Sequence, residues 1–295
     1  MKSASILVGI AVFLFAGHGY TREAIEIERI NPGNINYELS ISYTNLESER
    51  TDILEEVVSI GNSFIVVPRF LGNSIISLDT LVYSPSITYG ITDKLNLFGG
   101  FSYLSNYRQS TGGDLGKQED TDAYLDNFHI GIGGSLYKSS IQDMGVDTAL
   151  AIGLAQASKL NETDIKFDIA KSYDIGFIVY RILDPLVLSL QFKYKINIER
   201  EMENVLYDPP DLLSISPAIK FSVNHMTTLV GGFSWTRIGE STVNGTPTNE
   251  ITRTKMDINF GIESAINNHL RLTAHIGSNI SGQGGANFTV GLSYQ

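Results

Sequence analysis

Residues Leu81 to Asn106 read LVYSPSITYG, then ITDK, then LNLFGGFSYLSN. Two alternating runs flank a tight polar turn at Thr92-Asp93-Lys94. In the first run Tyr83, Pro85, Ile87 and Tyr89 share one face, with Ser84, Ser86 and Thr88 on the other. In the second, Leu95, Leu97, Phe101 and Tyr103 oppose Asn96, Gly100 and Ser102. Side chains alternate across a strand, so the stretch predicts a β-hairpin with one oily face and one small, polar face.

The same design recurs in both directions. Upstream, Ile35–Asn45 sets Tyr37, Leu39, Ile41 and Tyr43 in phase. Downstream come Phe128–Leu136, Val146–Leu154, Tyr173–Arg181, Leu186–Ile198, Leu213–Val223, Leu229–Trp235, Met256–Ile262, Leu270–Ile276 and Phe288–Tyr294. The clearest run sets Leu188, Leu190, Phe192, Tyr194, Ile196 and Ile198 against Ser189, Gln191, Lys193, Lys195 and Asn197. Many runs are about 9–13 residues long, beyond the five or six usual in soluble strands and enough for a tilted strand to cross a bilayer. Connections alternate as well. Ile91–Lys94, Leu183–Pro185, Asn224–Met226 and Ile266–His269 are short, whereas Arg108–Asp122, Glu199–Asp211 and Gly239–Thr254 are long and polar. Short turns on one side and long loops on the other mark a transmembrane barrel. The expected fold is therefore all-β: an up-and-down antiparallel transmembrane β-barrel of about twelve strands over 34–295, with both termini on the short-turn side. A soluble sandwich also alternates; strand length and the export signal described next favour the barrel.

Lys2 and the apolar run Ile6–Phe15 form the n- and h-regions of a secretory signal, followed by small Ala16, Gly17 and Gly19. That run is shorter than the roughly 20 residues of a spanning helix. It predicts a signal peptide over 1–19, cleaved between Ala16 and Ala24, then a periplasmic lead-in over 20–33. The chain has 295 residues, 42% hydrophobic, with 14 Tyr, 14 Phe and 28 Gly. Its mean hydropathy of +0.02 leaves no material for a helical membrane bundle, while a barrel hides its apolar face in alternation. A net charge of −11 argues against nucleic acid as a partner. Without cysteine there is no disulfide, thiolate metal site or lipidated N-terminal Cys.

Outward-facing Leu, Ile, Val and Phe suit outer-membrane lipid and lipopolysaccharide. Tyr37, Tyr43, Tyr83, Tyr89, Tyr103, Tyr173, Tyr194, Trp235 and Tyr294 fall mostly near run ends, as interfacial girdles require. The last run, NFTVGLSYQ, is similar to the C-terminal signal read by the barrel-insertion machinery, though Tyr294 is penultimate and Gln295 follows. Glu47–Ser77 opens charged and turns apolar; it reads either as a long external loop folding back on the barrel or as an extra strand pair. Arg108–Asp122 reads as a plain surface loop.

The stretch Pro85–Leu104, PSITYGITDKLNLFGGFSYL, resembles the hairpin typical of a broad outer-membrane group described as transporters of the meta-cleavage pathway of phenol degradation. The resemblance implies passage of small, hydrophobic or aromatic molecules across the outer membrane. It carries over no binding residues.

On the inward face the expected pore-lining charges are Lys193, Lys195, Lys220, Lys255, Asp257, Glu263 and Arg271, beside His129 and His275. Mixed signs inside a barrel imply either a hydrated lumen or interlocking ion pairs. Lys193, Lys195 and Lys220 form a basic stripe favouring anions, or else pair with Asp257, Glu263 or loop carboxylates. The acids Asp114, Glu119, Asp120 and Asp122 lack the spacing of a calcium loop, so no metal is expected. No G-x-S-x-G or H-E-x-x-H occurs, and His129, His225, His269 and His275 are scattered singly. The sequence thus predicts a passive pore or transporter for small-molecule solutes, without cofactor or catalysis. The alternative is a closed barrel whose loops Glu47–Ser77 and Gly239–Thr254 bind a partner.

Overall fold

In lipid a strand must satisfy every backbone N–H and C=O on its neighbours, which forces a sheet to close. The computed structural model shows that closure. It describes residues 30–48, 54–60, 63–69, 75–111, 117–139, 143–157, 165–202, 205–247, 253–281 and 285–295. The expected signal peptide over 1–19 and most of the expected lead-in over 20–33 lie outside the described residues.

Twelve strands form the ring: β1 (Ile35–Ser48), β4 (Ile75–Thr92), β5 (Leu95–Thr111), β6 (Lys117–Ser139), β7 (Met144–Ala157), β8 (Ile165–Leu183), β9 (Leu186–Asn197), β12 (Leu212–Ser222), β13 (Thr227–Ile238), β16 (Arg253–Ala265), β17 (Leu270–Asn279) and β18 (Gly285–Tyr294). Each is antiparallel to its predecessor in this series, and β18 returns to pair with β1 (Tyr37↔Tyr294, Tyr43↔Phe288). Six further strands lie outside the ring. β2 (Leu54–Ile60) and β3 (Ser63–Arg69) pair with each other; β10 (Arg200–Met202), β11 (Val205–Asp208), β14 (Thr242–Val243) and β15 (Thr246–Pro247) build a four-stranded sheet.

Three expectations about loops change accordingly. Glu47–Ser77 is resolved in favour of the extra strand pair, β2 with β3. Arg108–Asp122 is not a plain loop: β5 and β6 stay in register to Thr111↔Lys117, with Arg108 opposite Asp120. A polar hairpin in water keeps its ladder when cross-strand pairs suit, so glycine and charge content alone misplace the strand end. Asp114 lies outside the described residues, and Glu119 and Asp120, as neighbours on β6, point to opposite faces. Glu199–Asp211 and Gly239–Thr254, expected as loops, supply the four-stranded sheet.

The oily phase points outward on every barrel strand. Tyr37, Leu39 and Ile41 on β1, Leu150 and Ile152 on β7, Ile219 and Phe221 on β12, and Phe288 and Leu292 on β18 are all exposed. A continuous apolar belt of this kind has no place in water and needs lipid around it. Tyr37, Tyr89 and Tyr294 sit within three residues of the short-turn end. Tyr43, Tyr83, Tyr103, Tyr173 and Tyr194 lie eight to ten residues along their strands from that end. At ~3.4 Å per residue and a tilt of ~40°, the six residues from Tyr37 to Tyr43, or from Tyr89 to Tyr83, put the two sets about 16 Å apart, within the lipid-facing band of a barrel. Two of the upper tyrosines are anchored at the water boundary: Tyr43 donates to Asp79 Oδ1 at 2.6 Å and Tyr194 to Asp211 Oδ2 at 3.0 Å.

Ahead of β1 the chain lies against β4 at the short-turn end. Gly33 N donates to Gly90 O (2.8 Å), Gly90 N donates to Asn34 O (3.0 Å), and Ile30 is buried. Gly90 permits this crossing: a Cβ there would collide with the Ile30 and Asn31 carbonyls.

Candidate functional site

The register turns the inner wall into a set of rows. One runs Asn36, Thr88, Phe98, Gly131, Ala151, Asp174, Lys195, Leu212 and Ile238 across nine strands. The row beside it runs Arg271, Ser293, Glu38, Ser86, Gly100, His129, Gly153, Ser172 and Asn197. Because barrel strands tilt, a row that leaves the short-turn end on one strand reaches the long-loop end several strands later.

Across β6, β7 and β8 the inner wall carries many small residues, Gly131, Gly133, Ala149, Ala151, Gly153 and Gly176, between His129, Asp147, Ser172 and Asp174. Phe98 of β5 lies flat over Gly131 and Gly133, its ring 6.3 Å from that of His129. A Cβ at Gly131 would strike that ring and the Leu150 carbonyl. Above and beside these small residues opens a cavity of about 350 Å³. It is bounded by β1 and β4 (Asn36, Glu38, Ser84, Ser86), by Phe98 and His129, and by Asp147, Asp174, Gln191 and Lys193 on the far strands. Such a volume is ordinary for a small-molecule site.

The opposite wall is occupied. On β12 and β13, Ser214, Ser216, Ser234 and Thr236 share hydrogen bonds of 3.1–3.4 Å, with Ser214 and Thr236 buried. Further round, inward side chains lie over glycines of the next strand: His275 over Gly261, Asn259 and Asn287 over Gly277, Thr273 over Gly291.

All seven charges expected on the lumen share the inward phase, but they fall into separate groups. Lys195 is buried opposite Asp174, with its Nζ 3.9 Å from the carboxylate. Lys193, two residues away, lines the cavity. Lys220 stands opposite Val187, six residues from Lys193 along β9 and so ~20 Å distant. It donates to Glu263 Oε1 at 2.7 Å, passing over β13. Lys255 reaches Asp257 on its own strand at 3.6 Å, and Arg271 lies near the short-turn end opposite Ser293. The three lysines therefore make no single stripe: β12 runs antiparallel to β9, so a residue late in β12 meets the start of β9. His275 belongs to this wall, whereas His225 lies in a turn and His269 ties Gln295 O at 2.8 Å. Among the described residues, no three metal-ligating side chains converge.

The inward face also carries residues that the polar-face expectation omits. Leu78, Val82 and Leu104 are fully buried within β4 and β5, and Phe98 and Tyr180 share the inward phase. Phase alone would have found them, since Val82 is in step with Ser84 and Leu104 with Ser102.

At the long-loop end Asp211, between β11 and β12, bonds to the barrel rim beside the four-stranded sheet. Its Oδ1 accepts from Asn197 N at 2.9 Å, its Oδ2 from Tyr194, and its carbonyl from Gly239 N at 2.8 Å. Asn244 closes the sheet by donating its N–H to Leu206 O and accepting Leu206 N on Oδ1. Burial, and secondly the charge of Asp211, push the Asp208 carboxyl above the usual carboxylate range.

An apolar belt, two tyrosine girdles, short turns at one end and a ring without edges define a transmembrane β-barrel of the outer-membrane type. Among solved structures the chain is similar to the COG4313 outer membrane channel from Pseudomonas putida F1: TM-score 0.60, 12% identity, covering 90% of this chain and 97% of that one. It also aligns with the transport unit of the autotransporter AIDA-I from Escherichia coli, at TM-score 0.49 and 9% identity, over 88% and 90% of the two chains. No family model matches the sequence, and no curated protein matches it significantly. At such identities the likeness is one of fold.

Proposed function

We propose that the protein is an outer-membrane pore or passive transporter for small molecules, hydrophobic and aromatic ones among them, exported by its 1–19 signal peptide with 20–33 as a periplasmic lead-in. The observation that carries this reading is the cavity of about 350 Å³ inside a closed barrel, lined by polar, charged and aromatic groups from several strands. In this reading Lys193, Lys195, Lys220, Lys255, Asp257, Glu263 and Arg271 line the path and set its charge preference. The belt contacts outer-membrane lipid and lipopolysaccharide, and β18 presents the signal for the insertion machinery.

The test is single-channel conductance of the refolded mature protein in a planar bilayer, with folding checked by slower gel migration after boiling. Discrete steps that change with salt type are expected. A folded barrel that inserts yet passes no current would favour the second reading, a partner-binding barrel. The sheet of β10, β11, β14 and β15, assembled from two separate loops, is the observation on that side.

A further inference from the structure

The ring of strands repeats itself after six. Ser84-Pro85, Ile87, Leu97 and Gly99-Gly100-Phe101-Ser102 recur, at a constant offset of 132 residues, as Ser216-Pro217, Ile219, Leu229 and Gly231-Gly232-Phe233-Ser234. Asp79 and Asp211 keep the same offset, and each accepts the hydroxyl of a tyrosine on the preceding barrel strand, Tyr43 and Tyr194. The register repeats as well. On β1 and β4–β8 one inner row reads Glu38, Ser86, Gly100, His129, Gly153, Ser172. On β9, β12, β13 and β16–β18 its counterpart reads Ser189, Ala218, Gly232, Asn259, Gly277, Asn287. The adjoining rows then set Gly131 against Gly261 and Gly176 against Gly291. Alternation aligns the phase of any two strands, but not glycines on four strands in succession. The strand pairs outside the ring fall alike too: β2 and β3 follow the first strand of one six, β10 and β11 the first strand of the other.

The two units differ in what stands over the shared glycines. Thr88, Gly133 and Ala151 line the cavity; their counterparts in the register are Lys220, Glu263 and His275. Where the first unit leaves space, the second lays His275 on Gly261 and spans β13 with the 2.7 Å Lys220–Glu263 pair. We infer that the barrel is a six-strand unit in tandem duplicate, and that its second unit holds the counterpart of the cavity, a small-molecule site closed by Lys220, Glu263 and His275. Val187, Val230, Gly261 and Thr289, the other members of the plugged row, carry no charge, so the cleared site takes small uncharged molecules.

The inference rests on the conduit reading for what the site does, and the experiment separates the two. The chain has no cysteine, so a single introduced thiol reports access. Ala149→Cys and Thr273→Cys occupy counterpart positions, opposite Gly133 and Glu263. Each refolded barrel, verified by heat-modified migration, is reacted with methyl methanethiosulfonate, a small uncharged reagent. Ala149→Cys is expected to react about tenfold faster than Thr273→Cys, since an accessible thiol reacts and a buried one is inert. Adding Lys220→Thr, Glu263→Gly and His275→Ala should bring Thr273→Cys up to the Ala149→Cys rate; if that exchange does not fold, Lys220→Thr with Glu263→Ala carries the same test. The reciprocal exchange, Thr88→Lys, Gly133→Glu and Ala151→His, should slow Ala149→Cys to the same degree. Equal rates before any exchange, or a Thr273→Cys rate that clearing the plug leaves unchanged, overturn the inference. Unitary current tests the conduit by itself. A barrel that passes no current yet shows the labelling shift sinks the conduit reading and keeps the second site; current without the shift does the reverse.

Discussion

The two halves of the inner wall are built from one strand pattern and differ in what stands at the inward positions. Across β6–β8 those positions include Gly131, Gly133, Ala149, Ala151 and Gly176 set between His129, Asp147 and Asp174, and a cavity remains beside them. Across β12–β17 they are serine, lysine, glutamate and histidine, paired with one another and laid flat over neighbouring glycines. Twelve strands lie between barrels whose interiors side chains fill and those that hold open water. In such a ring the free volume is decided residue by residue, and here the cavity lies against β1 and β4 to β9.

The most disruptive way to break that contrast is to fill the cavity. Ala151→Trp should cut unitary current several-fold, while Ala218→Trp on the occupied wall changes it far less; equal effects would mean that the cavity is not the path. Next, the occupied half depends on its ion pairs. Lys220→Met leaves Glu263 without its 2.7 Å partner and should lower stability to urea by about 2 kcal/mol, recovered largely in Lys220→Met with Glu263→Gln. A double variant as unstable as the single would show that packing, not charge, holds this wall.

Asp211→Ala tests whether the external sheet acts as one unit. Losing the bonds to Asn197 and Tyr194 should raise amide exchange in β10, β11 and β14 together by about tenfold or more. The smallest effect concerns Asp208. Its carboxyl is raised in the fold, so the stability it contributes is present at low pH and is lost as pH rises through that raised value. Asp208→Asn should therefore slow exchange in β11 slightly at pH 7, and the gain should vanish below about pH 4, where the carboxyl is protonated in either state. A gain that persists in acid would remove charge as the cause.

The wall of this barrel was legible in the sequence because its code is local. Alternation in Leu186–Ile198 sets which residues meet lipid without knowledge of any partner strand, and all twelve runs recur as barrel strands. The inner surface was less so. That Lys193 and Lys195 face inward follows from phase, but their distance from Lys220 depends on the register between β9 and β12, which lies beyond either run. That Asp174 is the partner of Lys195 follows from the β8–β9 register for the same reason. The sheet of β10, β11, β14 and β15 and the extension of β5 and β6 over Arg108–Asp122 escaped because such polar segments carry no oily phase to announce them.

The rows on the inner wall are ramps. His129 and Arg271 belong to one of them, yet Arg271 stands near the short-turn mouth and Asn197, its other end, at the long-loop mouth. A solute that moves sideways from one strand's side chain to the next along such a line also moves through the membrane. Depth and bearing are thus coupled like steps on a spiral stair, and the handedness comes from the tilt of the strands.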